Sequence, residues 1–148
     1  MSSPFNTSRF GGLVRPLHRL PLLRRMARQL ARGLVLTQDF HGGRIAFNAV
    51  SHSWAWTGAC TYENFDRPVQ DRLLALSESR PRLLDVGANI GVMTLSVLLR
   101  NRATRALVVE PGNEAVALLR RSLHLNRLEE RCEVLHLAAS AGAEKLPF

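Results

Sequence analysis

An aspartate, two glycines and a glutamate at fixed spacing are the residues of this 148-residue chain best placed to do chemistry. They stand in Asp85-Val86-Gly87-Ala88-Asn89-Ile90-Gly91 and in Glu110-Pro111. Gly87 lacks a Cβ, so backbone there can approach a ligand closely, and Gly91 permits tight helix–strand packing. Asp85 is an acid in the otherwise apolar run Leu83–Val86. A buried carboxylate needs a partner, and a cationic ligand group would serve. Glu110 follows Gly87 by 23 residues, where doubly wound nucleotide sites place an acid to accept from ribose hydroxyls. The pattern suits an adenosine-type ligand.

The spacing also discriminates among such ligands. A dinucleotide site reads Gly-x-Gly-x-x-Gly, because pyrophosphate must meet backbone at a helix N-terminus. Here the spacing is Gly-x-x-x-Gly, and Asp85 would repel a phosphate. A ligand with adenosine, an ammonium and a sulfonium but no phosphate fits better, and S-adenosylmethionine is that ligand. The reading without a ligand is a glycine-containing strand–helix turn with an incidental strand-end glutamate.

No residue stands out as a catalytic base. His124 falls on a helix, on its exposed side. His136 falls within the third of the strands described below, away from its carboxyl end. Cys60 and Cys132 read as packing thiols, and Glu63 as a solvated helix-entry acid that could instead reach a cofactor ammonium. The two cysteines form no Cys-x-x-Cys pair and no cluster with zinc spacing, so neither a metal nor a disulfide framework is expected, and a reducing, cytoplasmic compartment is the default.

The elements that must carry these residues follow from periodicity. From Arg82 onward the pattern is regular: strand Leu83–Val86, a glycine turn, a helix over about 90–99, strand Ala106–Val109, a helix over about 113–125 with Val116, Leu119 and Leu123 inward, and strand Val134–Leu137. Strands alternating with helices imply right-handed crossovers and a parallel sheet, an α/β fold of Rossmann-like type. Before it, Leu34–Thr37, a turn at His41-Gly42-Gly43 and Arg44–Asn48 read as a β-hairpin, and residues 34–56 as a whole read as β. Trp54 and Trp56 read as packing groups. A helix starts at Pro68, with Val69, Leu73, Leu74 and Leu76 on one face, and ends before Pro81.

Residues 1–12 read as loose, and residues 21–33 as an amphipathic helix. Leu22, Leu23, Met26, Ala27 and Leu30 form its stripe, and Arg24, Arg25, Arg28 and Arg32 its polar side. This gives three segments: a basic N-terminal segment 1–33, a hairpin and helix over 34–81, and a ligand-binding part over 82–148. The formal net charge is +8, of which residues 1–40 contribute +6. That segment suits packing on the body or on a partner, a membrane-surface contact through residues 20–33, or a transit peptide. No aromatics interleave with its arginines, so nucleic acid is not an expected partner. At 46% hydrophobic the chain can build a core, and no run of about 18 uncharged apolar residues exists to span a membrane.

The string Asp85-Val-Gly-Ala-Asn-Ile-Gly91 with Thr94-Leu95, then Val109-Glu110-Pro111, Leu125-Asn126 and Leu137-Ala-Ala-Ser140, closely resembles FkbM-type methyltransferases of class I fold. The resemblance covers about 83–148 and extends weakly to Thr61-Tyr62-Glu63. It implies methyl transfer from S-adenosylmethionine to a hydroxyl of a sugar, polyketide or related small molecule or glycan. It implies that Asp85, Gly87, Ala88, Asn89 and Gly91 line the methionine end, that Glu110 takes the ribose hydroxyls and that Pro111 borders the adenine. Family members often carry an acid after the serine matching Ser140, where this chain has Ala141. The family's sheet has seven strands in the order 3-2-1-4-5-7-6, and this chain supplies strands 1 to 3, with Lys145–Phe148 starting something further. It therefore reads as the N-terminal part of an enzyme, inactive alone. The alternatives are a non-catalytic remnant or interaction module keeping half a site, and a dinucleotide-binding domain.

Overall fold

The computed structural model describes residues 5–6, 26, 29–31, 33–57 and 60–140. The chain divides into two compact units, Met1–Arg67 and Pro68–Phe148.

The first unit is built on a hairpin. Strand β1 (Phe5–Asn6) runs parallel to β2 (Val35–Phe40), which pairs antiparallel with β3 (Gly43–Asn48). A two-residue loop, His41-Gly42, joins β2 to β3 with φ of 46° and 80°. Two positive φ values match the right-handed twist of the flanking strands, and glycine makes the second inexpensive. The hairpin expectation holds, with strands longer than the apolar runs suggested. Of residues 1–12, expected to be loose, only Phe5–Asn6 are described, and they pair with β2; the rest lie outside the described residues. Residues 53–57 form a helix, α1 (Ser53–Thr57), where β had been expected. Asn48 explains the change: its side-chain Oδ1 accepts from the Val50 and Ser51 amides, turning the chain out of the ladder. The buried Gln38 amide then fixes the segment, donating to the Ala55 carbonyl and accepting from the Tyr62 amide. Trp54 packs on Tyr62 and stacks on Phe65, as a packing group should. The side chain of Trp56 lies outside the described residues, as does most of the amphipathic helix expected over 21–33; of its stripe, Met26 and Leu30 are described and exposed.

The second unit runs α2 (Arg67–Ser79, entering from the first unit), β4 (Arg82–Val86), α3 (Val92–Arg100), β5 (Arg105–Val109), α4 (Asn113–Asn126), a 3-10 turn (Glu129–Arg131) and β6 (Cys132–Leu135). The sheet is parallel, in the order β4-β5-β6. Its register places Leu83 and Asp85 beside Ala106 and Val108, which lie beside Cys132 and Val134. Asp85 bonds Thr94 of α3, and Arg120 of α4 reaches the Val134 carbonyl, so both crossover helices cover this face. Val116, Leu119 and Leu123 point inward as expected.

The inward face of α2 differs from expectation. Val69 and Leu76 are exposed, and Gln70 and Ser77 are buried. Polar bonding to α3 sets this orientation. Arg100 bonds the Gln70 carbonyl and the Asp71 carboxylate (2.7 Å), and Asn101 bonds both the hydroxyl and the carbonyl of Ser77. Hydrophobic periodicity carries no signal for such a face. The third strand, expected over Val134–Leu137, runs Cys132–Leu135, two residues earlier, and Lys145–Phe148 and Ala141 lie outside the described residues.

Candidate functional site

Three backbone segments meet at the carboxyl ends of β4, β5 and β6. The ladder runs on past the strands: the Gly87 amide donates to the Val109 carbonyl (2.8 Å), and the Glu110 amide donates to the Leu135 carbonyl (3.1 Å). The turn after β4 is shaped by left-handed residues, Gly87 (φ 78°), Asn89 (φ 53°) and Gly91 (φ 84°). Nothing lies within 4 Å of where a Cβ on Gly87 would stand, so the space over that backbone is open. Gly91 is the opposite case. A Cβ there would collide with Leu119 Cδ1 of α4, so glycine allows α3 and α4 to pack together at this point. The tight packing expected of Gly91 is between helices.

Glu110 organises the turn. It is buried, and both carboxylate oxygens accept from backbone: Oε2 from the Asn89 amide (2.7 Å) and Oε1 from the Gly112 amide (2.8 Å). One side chain therefore joins the loop after β4 to the loop after β5. Each oxygen keeps a second lone pair, so the carboxylate can still accept from hydroxyls of a ligand. Asn89 in the left-handed region is uncommon for a residue with a Cβ, and the Glu110 bond to its amide holds it there.

Asp85 is half-buried, and its Oδ2 accepts from the Thr94 hydroxyl at 2.5 Å. The partner is thus an internal hydroxyl one turn into α3. That leaves Oδ1 for a ligand cation. Thr94 is a member of the site that the chemical reading of the motif missed. Its sequence position, one helical turn after Gly91, was the available signal. Gly112 was also missed: a Cβ there would stand 2.9 Å from Glu110 Oε1, so glycine is what lets the carboxylate reach that amide. Gly91 caps α3 with no side-chain bond, so no capping side chain occupies its first turn.

His136 is the first residue beyond β6 and not within it, and its Nε2 lies 3.0 Å from the Pro111 carbonyl oxygen. It borders the Glu110-Pro111 loop. His124 is exposed and pairs with Glu129 (2.7 Å) at the C-terminal end of α4. A bond from its own backbone, and then the His124 pair, hold the Glu129 carboxyl below its ordinary pKa. Glu63 accepts from the His41 amide at the hairpin turn (2.8 Å). Cys132 is buried, and burial, with the Asp85 carboxylate adding to it, pushes its thiol up to about 11. Among the described residues, no group of three or more His, Cys, Asp or Glu side chains could hold a metal ion, and no helix is long and apolar enough to cross a membrane.

With this geometry in place, solved structures share the fold. A Pyrococcus horikoshii protein described as a transferase is 14% identical, covers 70% of this chain and superposes with a TM-score of 0.54. TYW2 of P. horikoshii in complex with MeSAdo matches with the same identity, coverage and TM-score. The complex of aTrm5 with tRNALeu matches at 13% identity over 68% of this chain, with a TM-score of 0.51. The chain spans 36%, 36% and 27% of those proteins' lengths. No protein-family model matches the sequence, and no curated relative does. The second unit is part of a Rossmann-like methyltransferase fold, as expected, preceded by an antiparallel hairpin.

Proposed function

We propose that this chain is part of an S-adenosylmethionine-dependent methyltransferase of FkbM type, acting on a hydroxyl of a sugar, polyketide or related small molecule or glycan. The observation that carries the reading is Glu110: a buried carboxylate at the carboxyl end of the second parallel strand, its position fixed by two backbone amides. A pre-positioned acceptor there suits the two hydroxyls of a ribose. Asp85 Oδ1 suits the ammonium of the methionine moiety, and the first-turn amides of α3 suit its carboxylate. Open space over Gly87 suits close passage of the ligand. Ala88, Asn89 and Gly91 line the methionine end by the family resemblance, and Pro111, whose carbonyl His136 meets, borders the adenine.

S-adenosylmethionine supplies an electrophilic methyl group on its sulfonium. The residues present here hold and orient that donor, and no described residue is assigned the acceptor's proton. In-line placement of donor and acceptor accounts for much of the rate in such a transfer. A base has only to relieve the acceptor hydroxyl of its proton. Equilibrium dialysis with labelled S-adenosylmethionine tests the reading. Displacement by S-adenosylhomocysteine and no displacement by NAD is expected, and displacement by NAD alone would replace it with a dinucleotide site. Competition by RNA would move the acceptor class away from small molecules and glycans.

A further inference from the structure

The carboxylate of Asp85 is oriented by a neutral group. It is half-buried, and no ion pair among the described residues involves it. Its hydrogen-bond partner among them is the Thr94 hydroxyl, at 2.5 Å. The Cys132 thiol on the same sheet face feels the Asp85 charge, but burial and that charge keep the thiol protonated at neutral pH, so it offers no compensation. Thr94 is fully buried, among the apolar side chains of Leu95, Val97 and Leu98 of α3. An apolar residue would suit packing at that position, so the hydroxyl is the feature that needs a reason. A threonine hydroxyl inside a helix commonly turns back to a carbonyl one turn earlier. This one instead directs its only proton across to β4. A neutral donor orients a carboxylate without neutralising it. A lysine or arginine in its place would orient Asp85 too, but would cancel the charge that a ligand cation needs.

We propose that Thr94 is a positioning residue that sets the preference of this site for a ligand carrying a free ammonium: its hydroxyl fixes Asp85 Oδ2, so that Oδ1 is presented to that ammonium at full charge. The assignment rests on the S-adenosylmethionine reading above and adds the group that makes the methionine end selective. Its size follows from rotamers. The aspartate χ1 torsion has three staggered wells. Held by Thr94, the side chain stays in one of them. Released, it divides among them, and the fraction competent to meet the ligand falls to about one third. Affinity for an ammonium-bearing ligand then falls about three-fold. A ligand that lacks the amino-acid end never uses Asp85 and is unaffected.

NMR of the full chain, labelled with 13C and 15N, tests this with two probes, S-adenosylhomocysteine and 5′-methylthioadenosine, which lacks the amino-acid end. Three-bond couplings to Asp85 Cγ in the free wild type should report a single χ1 well. Thr94→Val keeps the shape and removes the donor. It should average those couplings, weaken S-adenosylhomocysteine about three-fold and leave 5′-methylthioadenosine within about 1.5-fold of wild type. Thr94→Ser should restore both the couplings and the affinity. In an Asp85→Asn background, Thr94→Val should have no further effect on S-adenosylhomocysteine, because Thr94 acts through that carboxylate. Averaged couplings in the wild type overturn the proposal, whether or not Thr94→Val folds. Unchanged S-adenosylhomocysteine affinity in Thr94→Val, or an equal loss of both ligands, also overturns it, the second by reducing Thr94 to a structural role. A wild type that binds neither ligand while Asp85 keeps one well overturns the S-adenosylmethionine reading itself, and the proposal with it.

Discussion

Replacing Glu110 by glutamine keeps the shape of the side chain and changes only its hydrogen bonding. The carboxylate accepts two backbone amides, one on each oxygen, at 2.7 and 2.8 Å. Glutamine offers one oxygen and one NH2, so either the Asn89 or the Gly112 amide must face a donor. A hydrogen bond to a charged group contributes about 1.5–3 kcal/mol, and that bond is lost. The surviving bond falls from charge-assisted to neutral, about half its former strength. Glu110→Gln should therefore destabilise the second unit by about 2–4 kcal/mol, a large share of the stability of a small domain. No cavity opens, so the loss is local in origin. Hydrogen exchange of the Asn89 and Gly112 amides, followed by NMR, should show one of them exchanging at least about tenfold faster, with urea unfolding giving the total. Glu130→Gln, at an exposed position, is the control. Unchanged exchange at both amides and a stability within about 0.5 kcal/mol of wild type would refute the role assigned to Glu110.

Gly91→Ala should cost more than 2 kcal/mol by urea unfolding, because a Cβ meets Leu119 and φ is 84°; measured against Leu119→Ala alone, the same change should cost only its backbone part, about 1 kcal/mol. Arg131→Met should lower the thermal midpoint by several degrees, since the guanidinium donates to the carbonyls of Leu98, Asn101 and Arg102 where α3 ends. Burial first, then Arg105 and Arg102, pull the Arg131 pKa down, so Arg102→Ala should partly offset the placement cost of that charge. Cys132 should resist alkylation at pH 8 until urea unfolds the unit. Its thiol is raised from 9.0 to about 11 in the folded state, so its contribution to stability is fully present below pH 9 and is lost as pH rises from 9 to 11, a decline absent in Cys132→Ala.

The parallel unit was legible in the sequence because its strands are short apolar runs, β4 and β5, separated by a helix with a clear inward face. Glycine and acid positions located the turn after β4 and Glu110 for the same reason: each does something only its residue type can do. The α2 face was not legible, because the Gln70 carbonyl and Ser77 bond Arg100 and Asn101, which stand 24 or more residues away. The helix at Ser53–Thr57 was hidden behind aromatic and β-branched propensity, and one side chain, Asn48, decides it. The Asp85 partner illustrates the same limit. An acid in an apolar strand signals that a partner exists, and Thr94 shows that the first partner is internal.

In the proposed function, the turn from Gly87 to Gly91 and the Glu110-Pro111 loop form one adenosine-binding surface. Titrating the 15N-labelled chain with S-adenosylhomocysteine and following the amides by NMR tests it, because each amide reports separately on the ligand. Saturable shifts concentrated at Gly87–Gly91 and Glu110–Gly112, abolished in Glu110→Ala, are expected. Shifts elsewhere, no shifts at millimolar ligand, or larger shifts with NAD at the same amides would contradict it.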